Sequence, residues 1–106
     1  MARLRYRVVF APDACDDYRR LSAFVRTEVK DVINIVLVHQ PTLRTRSRVK
    51  RLRGTRKPQY RLRVGDVRVF YDVHGETVEV LAIVEKARAS EWLREKGDSD
   101  EESSTG

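Results

Sequence analysis

Three arginines, Arg61, Arg63 and Arg68, flank the dipeptide Gly65-Asp66. A Gly-X pair between two alternating segments suits a two-residue type II′ hairpin turn. With that turn, Val64 faces Val67, Arg63 faces Arg68, Leu62 faces Val69, Arg61 faces Phe70 and Tyr60 faces Tyr71. Strand alternation then gathers Tyr60, Leu62, Val64, Val67, Val69 and Tyr71 on an apolar face. The opposite face carries Arg61, Arg63, Arg68 and Phe70. Like charges directly opposed across a strand pair destabilise a sheet. Carboxylates elsewhere or plain solvation would offset that repulsion, and so would an anionic ligand, most naturally a phosphodiester backbone. Phe70 on the same face either covers a sheet edge or stacks a base.

The surrounding charge favours the ligand. Residues 44–68 hold eleven of the 22 Lys and Arg residues and one acid, Asp66. Among them, Lys50, Arg51, Arg53, Arg56 and Lys57 form a basic run before the hairpin and are candidate contacts for a polyanion or an acidic partner. The formal charge of the whole chain is +6, but residues 97–106 contribute four acids and no base. Residues 1–96 therefore carry 22 bases against 12 acids, or +10. The reading is a basic domain, residues 1–96, followed by an acidic tail, residues 97–106, with nothing apolar to bury and expected to be disordered.

Several function classes drop out. With 106 residues there is enough chain for one domain, and 41% hydrophobic content is too high for a disordered one. The longest apolar runs, such as Ile35–Val38 and Val80–Val84, are too short to span a bilayer. Met-Ala-Arg-Leu-Arg-Tyr-Arg at the start has no apolar signal core, so the expected location is the cytoplasm. One cysteine, Cys15, excludes an internal disulfide and reads as a small core residue. Two histidines, 35 residues apart, do not suggest a zinc site, so neither metal nor cofactor is expected. His39 reads as the end of a helix and His74 as part of a solvated turn.

The elements that must position the arginines follow from periodicity. Arg3 to Phe10 alternates basic and apolar residues, as in a half-buried strand. Pro12 suits the first turn of a helix over residues 12–20. Ser22 is a candidate N-cap for a second helix, in which Phe24, Val25, Val29, Val32, Ile33, Val36 and Leu37 form a stripe that Pro41 ends. Residues 42–58 read as a basic loop around a short strand near Val49–Leu52. Strands over Gln59–Val64, Val67–Val73 and Thr77–Val84 follow, and Lys86–Lys96 resumes helical spacing. The fold class is α+β: a helical hairpin and a C-terminal helix on one face of an antiparallel sheet of four to five strands, in the order β-α-α-β-β-β-β-α.

Tyr6-Arg-Val-Val-Phe-Ala-Pro12, Val49-Lys-Arg-Leu-Arg-Gly54, Tyr60-Arg-Leu-Arg-Val-Gly-Asp-Val-Arg-Val-Phe-Tyr-Asp72 and Val80-Leu-Ala-Ile-Val84 together resemble the RelE/ParE superfamily of type II toxin–antitoxin toxins. The resemblance covers roughly residues 4–94. It implies a growth-arresting toxin held by a cognate antitoxin with an acidic or amphipathic wrapping segment. RelE-like members cut mRNA in the ribosomal A site, and ParE-like members poison DNA gyrase. A degenerate member would bind only its antitoxin. For the nuclease reading, the resemblance places Arg61, Arg63 and Arg68 in the catalytic face, with the ribosome and mRNA as partners. The nuclease members carry an arginine or histidine and a tyrosine on the C-terminal segment. Here that segment reads Glu85-Lys-Ala-Arg-Ala-Ser-Glu-Trp-Leu93, so Lys86 and Arg88 are its only cations and Trp92-Leu93 stand near the tyrosine position. Lys86 and Asp72 are the chain's candidates for proton transfer.

Overall fold

Pro12 opens the first helix and Ser22 caps the second, as their chemistry dictates. In the computed structural model, which describes residues 5–99, β1 spans Arg7–Phe10 and α1 spans Pro12–Arg20. The Ser22 hydroxyl accepts from the Val25 amide at 3.3 Å and starts α2, Ala23–Val32. The helix then widens over Ile33–Leu37 into a π-turn, with the Val38 amide reaching back to the Ile33 carbonyl. The spacing alone does not announce this interruption. Beyond it, the Pro41 carbonyl accepts from the buried Tyr71 hydroxyl at 2.7 Å, pinning the end of the helical hairpin to the sheet.

Five strands make the main sheet, in the order β1-β6-β5-β4-β2. They are β1, β2 (Val49–Arg51), β4 (Tyr60–Val64), β5 (Val67–His74) and β6 (Thr77–Glu85). All adjacent pairs are antiparallel except β1 and β6, which run parallel. The sheet is therefore mixed, not antiparallel throughout: the α1–α2 hairpin returns the chain so that β1 lies beside the last long strand. Where β1 ends, the edge of β6 continues without a strand partner among the described residues, and the Asp17 carboxylate on α1 accepts the Ile83 amide at 2.9 Å. A side chain thus substitutes for a missing ladder bond.

The core lies between the helical hairpin and one sheet face. Ala14, Val29, Val32, Ile33 and Leu37 meet Val49, Leu62, Val64, Val69, Tyr71, Val78 and Val80 there. The C-terminal helix does not join them. After a 3₁₀ turn over Lys86–Arg88, α3 (Ala89–Lys96) crosses to the opposite face and stacks Trp92 on Phe70, with centroids 4.8 Å apart and rings 7° from parallel. The sheet is covered on both sides at this point, and the expectation of helices on one face is corrected.

Two short strands escape the sequence reading. Thr55–Lys57 (β3), expected as loop, pairs antiparallel with Asp98–Ser99 (β7). The first residues of the acidic segment are therefore tied to the basic loop. The remainder of that segment, 100–106, and the start of the first strand at Arg3 lie outside the described residues.

Candidate functional site

The hairpin forms in the expected register, residue by residue from Tyr60↔Tyr71 to Val64↔Val67. Gly65 takes φ +54° while Asp66 keeps a negative φ, the combination a type II′ turn requires. Arg63 therefore faces Arg68, Arg61 faces Phe70, and Lys50 on β2 faces Arg61. Four cations occupy adjoining positions on the outer face of β2, β4 and β5.

Their environments differ. Arg63 is exposed, Arg61 is half-buried, and Arg68 is only 6% exposed. Arg68 Nη1 donates to the carbonyls of Gly65 at 2.8 Å and Val67 at 3.0 Å, so one edge of its guanidinium closes the turn. Arg61 Nε is buried with no hydrogen-bond partner among the described residues. Desolvation, and then the charges of Arg68 and Arg63, hold the Arg61 guanidinium below its usual value. Arg68 is lowered by burial and by Arg63, with Asp66 offsetting part of the effect. None of the three makes an ion pair among the described residues. Burying cations without a counter-ion is costly, and an incoming anion relieves that cost.

Phe70 is the clearest correction. It is fully buried under Trp92, and a base has no ring face to stack on while α3 is in place. The sequence hid this because the covering residue lies 22 positions downstream on another element. Asp72 is also removed from the arginine chemistry. It sits four residues along β5 from Arg68, about 13 Å at strand rise, with its Oδ1 held by the Gln59 amide at 2.7 Å.

The remaining candidates spread out. Lys86 is exposed, and its amide donates to the Asp66 carbonyl at 2.8 Å, which brings this residue to the turn end of the hairpin. Arg51 turns to the core side, 5.2 Å from the Tyr60 ring centroid, and donates to the Gln59 carbonyl at 2.8 Å. Arg53, Arg56 and Lys57 are exposed on the loop and β3, off the main sheet. Arg88 lines a cleft of about 390 Å³ between α1, β6 and α3 whose walls also carry Asp17, Glu85, Glu91 and Glu95. Its surroundings are acidic, and it does not extend the cationic face. Arg48, in the same basic loop, donates to the Arg63 carbonyl at 2.9 Å and steadies the edge of the site.

An antiparallel hairpin bearing three closely set arginines, braced by a helical hairpin behind and a terminal helix in front, is the arrangement of a small toxin of the RelE-like fold. A family model described as the ParE toxin of the type II toxin–antitoxin system parDE matches residues 8–89, and the chain belongs to that family. It is thus a RelE/ParE superfamily toxin of a type II toxin–antitoxin system. Among solved structures, the archaeal RelE–RelB complex of Pyrococcus horikoshii OT3 is similar at 26% identity and a TM-score of 0.66, over 80% of this chain and 99% of that one. The RelB–RelE complex of Methanococcus jannaschii is similar at 20% identity and a TM-score of 0.63, over 80% and 98%. The isolated E. coli RelE toxin follows at 24% identity and a TM-score of 0.60, over 85% and 97%. No curated protein matches the sequence significantly. Among the described residues, no helix is long and apolar enough to cross a membrane.

Proposed function

We propose that this toxin arrests translation by engaging mRNA on the ribosome through its outer sheet face. The observation that carries the reading is the cluster of Arg61, Arg63 and Arg68, with no ion-pair partner among the described residues. RNA cleavage by 2′-hydroxyl attack needs cations on the phosphorane, a base for the hydroxyl and an acid for the leaving oxygen. Arginine supplies the first and is a poor base, because it stays protonated at neutral pH. Arg61 and Arg63 would stabilise the phosphorane charge. Arg68, with one nitrogen committed to the turn, would present its free edge to the scissile phosphate. Lys86, beside the turn, or groups of the ribosome would move the protons.

The partner that holds the toxin in check is a cognate antitoxin, as in the RelE–RelB complexes to which the fold is similar. Phe24 is 78% exposed and Ile35 70% exposed, eleven residues or about three helical turns apart on the helical arm. An amphipathic segment lying along that arm would bury both.

A second reading rests on the family model itself, which describes the toxin of parDE. On that reading the chain is a non-catalytic poison of DNA gyrase, and the scarcity of proton-transfer groups beside the arginines is no defect. Purified toxin with programmed ribosomes separates the two. The first reading expects mRNA cut within codons by the wild type, and loss of cutting in Arg61→Ala/Arg63→Ala. Intact mRNA together with blocked supercoiling by gyrase would establish the second.

A further inference from the structure

At the far end of β5 from the arginines, a second group of side chains converges. Asp72 and His74 are two apart on β5 and share its outer face, and Glu79 on β6 pairs with Asp72. His74 Nε2 lies 3.8 Å from Asp72 Oδ2 and 3.7 Å from Glu79 Oε1. One ligand-type atom from each residue falls within 4.8 Å of the other two. These contacts are too long for hydrogen bonds. They are close to the spacing of ligands around a small cation, about 3.3 Å apart in a tetrahedron with bonds near 2.0 Å.

The group is built, not merely crowded. Asp72 is 2% exposed, and its Oδ1 is fixed by the Gln59 amide at 2.7 Å. The Gln59 side chain in turn accepts the Val73 amide at 2.9 Å, so the orienting residue is itself anchored. Asp72 Oδ2 is left facing the histidine, with no hydrogen-bond donor in reach among the described residues. His74 and Glu79 have freer side chains, 58% and 33% exposed, and would have to rotate to close the remaining gap. Lys57 and His74 offset part of the Asp72 charge, and Glu79 adds to it, leaving two carboxylates with one lysine and an imidazole as their nearest counterweights.

We propose that Asp72, His74 and Glu79 form a three-ligand site for a borderline divalent transition-metal cation, Zn²⁺ foremost, with water completing the coordination. One imidazole and two carboxylates suit Zn²⁺, and a hairpin that presents all three ligands needs no rearrangement of the chain. Two histidines 35 residues apart make no zinc motif in the sequence. The fold needs only one, joined to a carboxylate on each of two adjacent strands.

Untagged full-length protein, stripped with chelator, should bind ZnCl₂ with one-to-one stoichiometry by titration calorimetry. Co²⁺ in place of Zn²⁺ should give visible d–d absorption. A hundredfold excess of Zn²⁺ over its Kd should raise Tm by about 12 °C. His74→Ala and Glu79→Gln alter one exposed and one partly exposed side chain, should keep the wild-type circular dichroism, and should lose the isotherm, the absorption and the Tm shift. Asp72→Asn retains an acceptor for Gln59 and should lose them too. No saturable binding by the wild type, or equal binding by wild type and variants, would overturn the site.

Discussion

At one end of β5, Arg68 is buried beside Arg61 and Arg63, and no carboxylate forms an ion pair with any of them among the described residues. At the other end, Asp72 is buried beside Glu79 and the imidazole of His74. One strand thus carries two charge clusters of opposite sign, about 13 Å apart along its length. They do not neutralise each other. Between them stands Phe70 under Trp92, a dry aromatic stack that covers the middle of the outer face. Residues of one sign were not interspersed with the other, as surface solubility alone would favour. Each cluster is left with charge that a ligand of opposite sign would complete, phosphate at the first and a metal cation at the second.

The largest expected effect comes from removing what separates the two ends. Phe70→Ala empties a fully buried position beneath Trp92 and should cost about 3–5 kcal/mol in chemical denaturation. A loss below 1 kcal/mol would mean that α3 does not rest on this ring.

The carboxylate end predicts a pH dependence. Burial lifts the Asp72 carboxyl above its ordinary value of 3.8, so the folded chain holds that proton more tightly than the unfolded chain. Stability from this group is complete below the unfolded value and falls as pH rises through the raised folded one. In EDTA, wild type should therefore lose stability relative to Asp72→Asn as pH increases from about 4 towards neutrality. A difference that stays constant with pH would mean that the carboxylate ionises in the fold without penalty.

The arginine end predicts a smaller effect of opposite kind. Arg63→Gln removes the most exposed member of the cluster and relieves both Arg61 and Arg68. It should stabilise the free protein by about 0.5 kcal/mol while weakening polyanion binding. Destabilisation would show that the repulsion is already screened in solution.

How much of this was legible in the sequence differs between the two ends. Gly65-Asp66 and strict alternation are local signals, so the register of the arginine hairpin and its apolar underside could be read directly. The burial of Arg68 could not, because it depends on an arginine folding back onto the carbonyls of its own turn. The parallel pairing of β1 with β6 and the stacking of Trp92 on Phe70 join residues far apart in the chain, and no local pattern encodes them. The Asp72–His74–Glu79 group was within reach. Gly75-Glu76 makes a two-residue turn like Gly65-Asp66, and extending its register places Glu79 opposite Asp72. A spacing pattern of histidines and cysteines does not contain the group, because two of the three side chains are carboxylates set across a hairpin.

The central claim is that the arginine face meets phosphate. Its most direct test is the salt dependence of binding between the toxin and a short single-stranded RNA, wild type against Arg61→Ala/Arg63→Ala. Losing two phosphate contacts should weaken binding at low salt and reduce the slope of log K against log salt by about 1.4, or 0.7 per contact. Equal affinity and an unchanged slope in the double variant would contradict it.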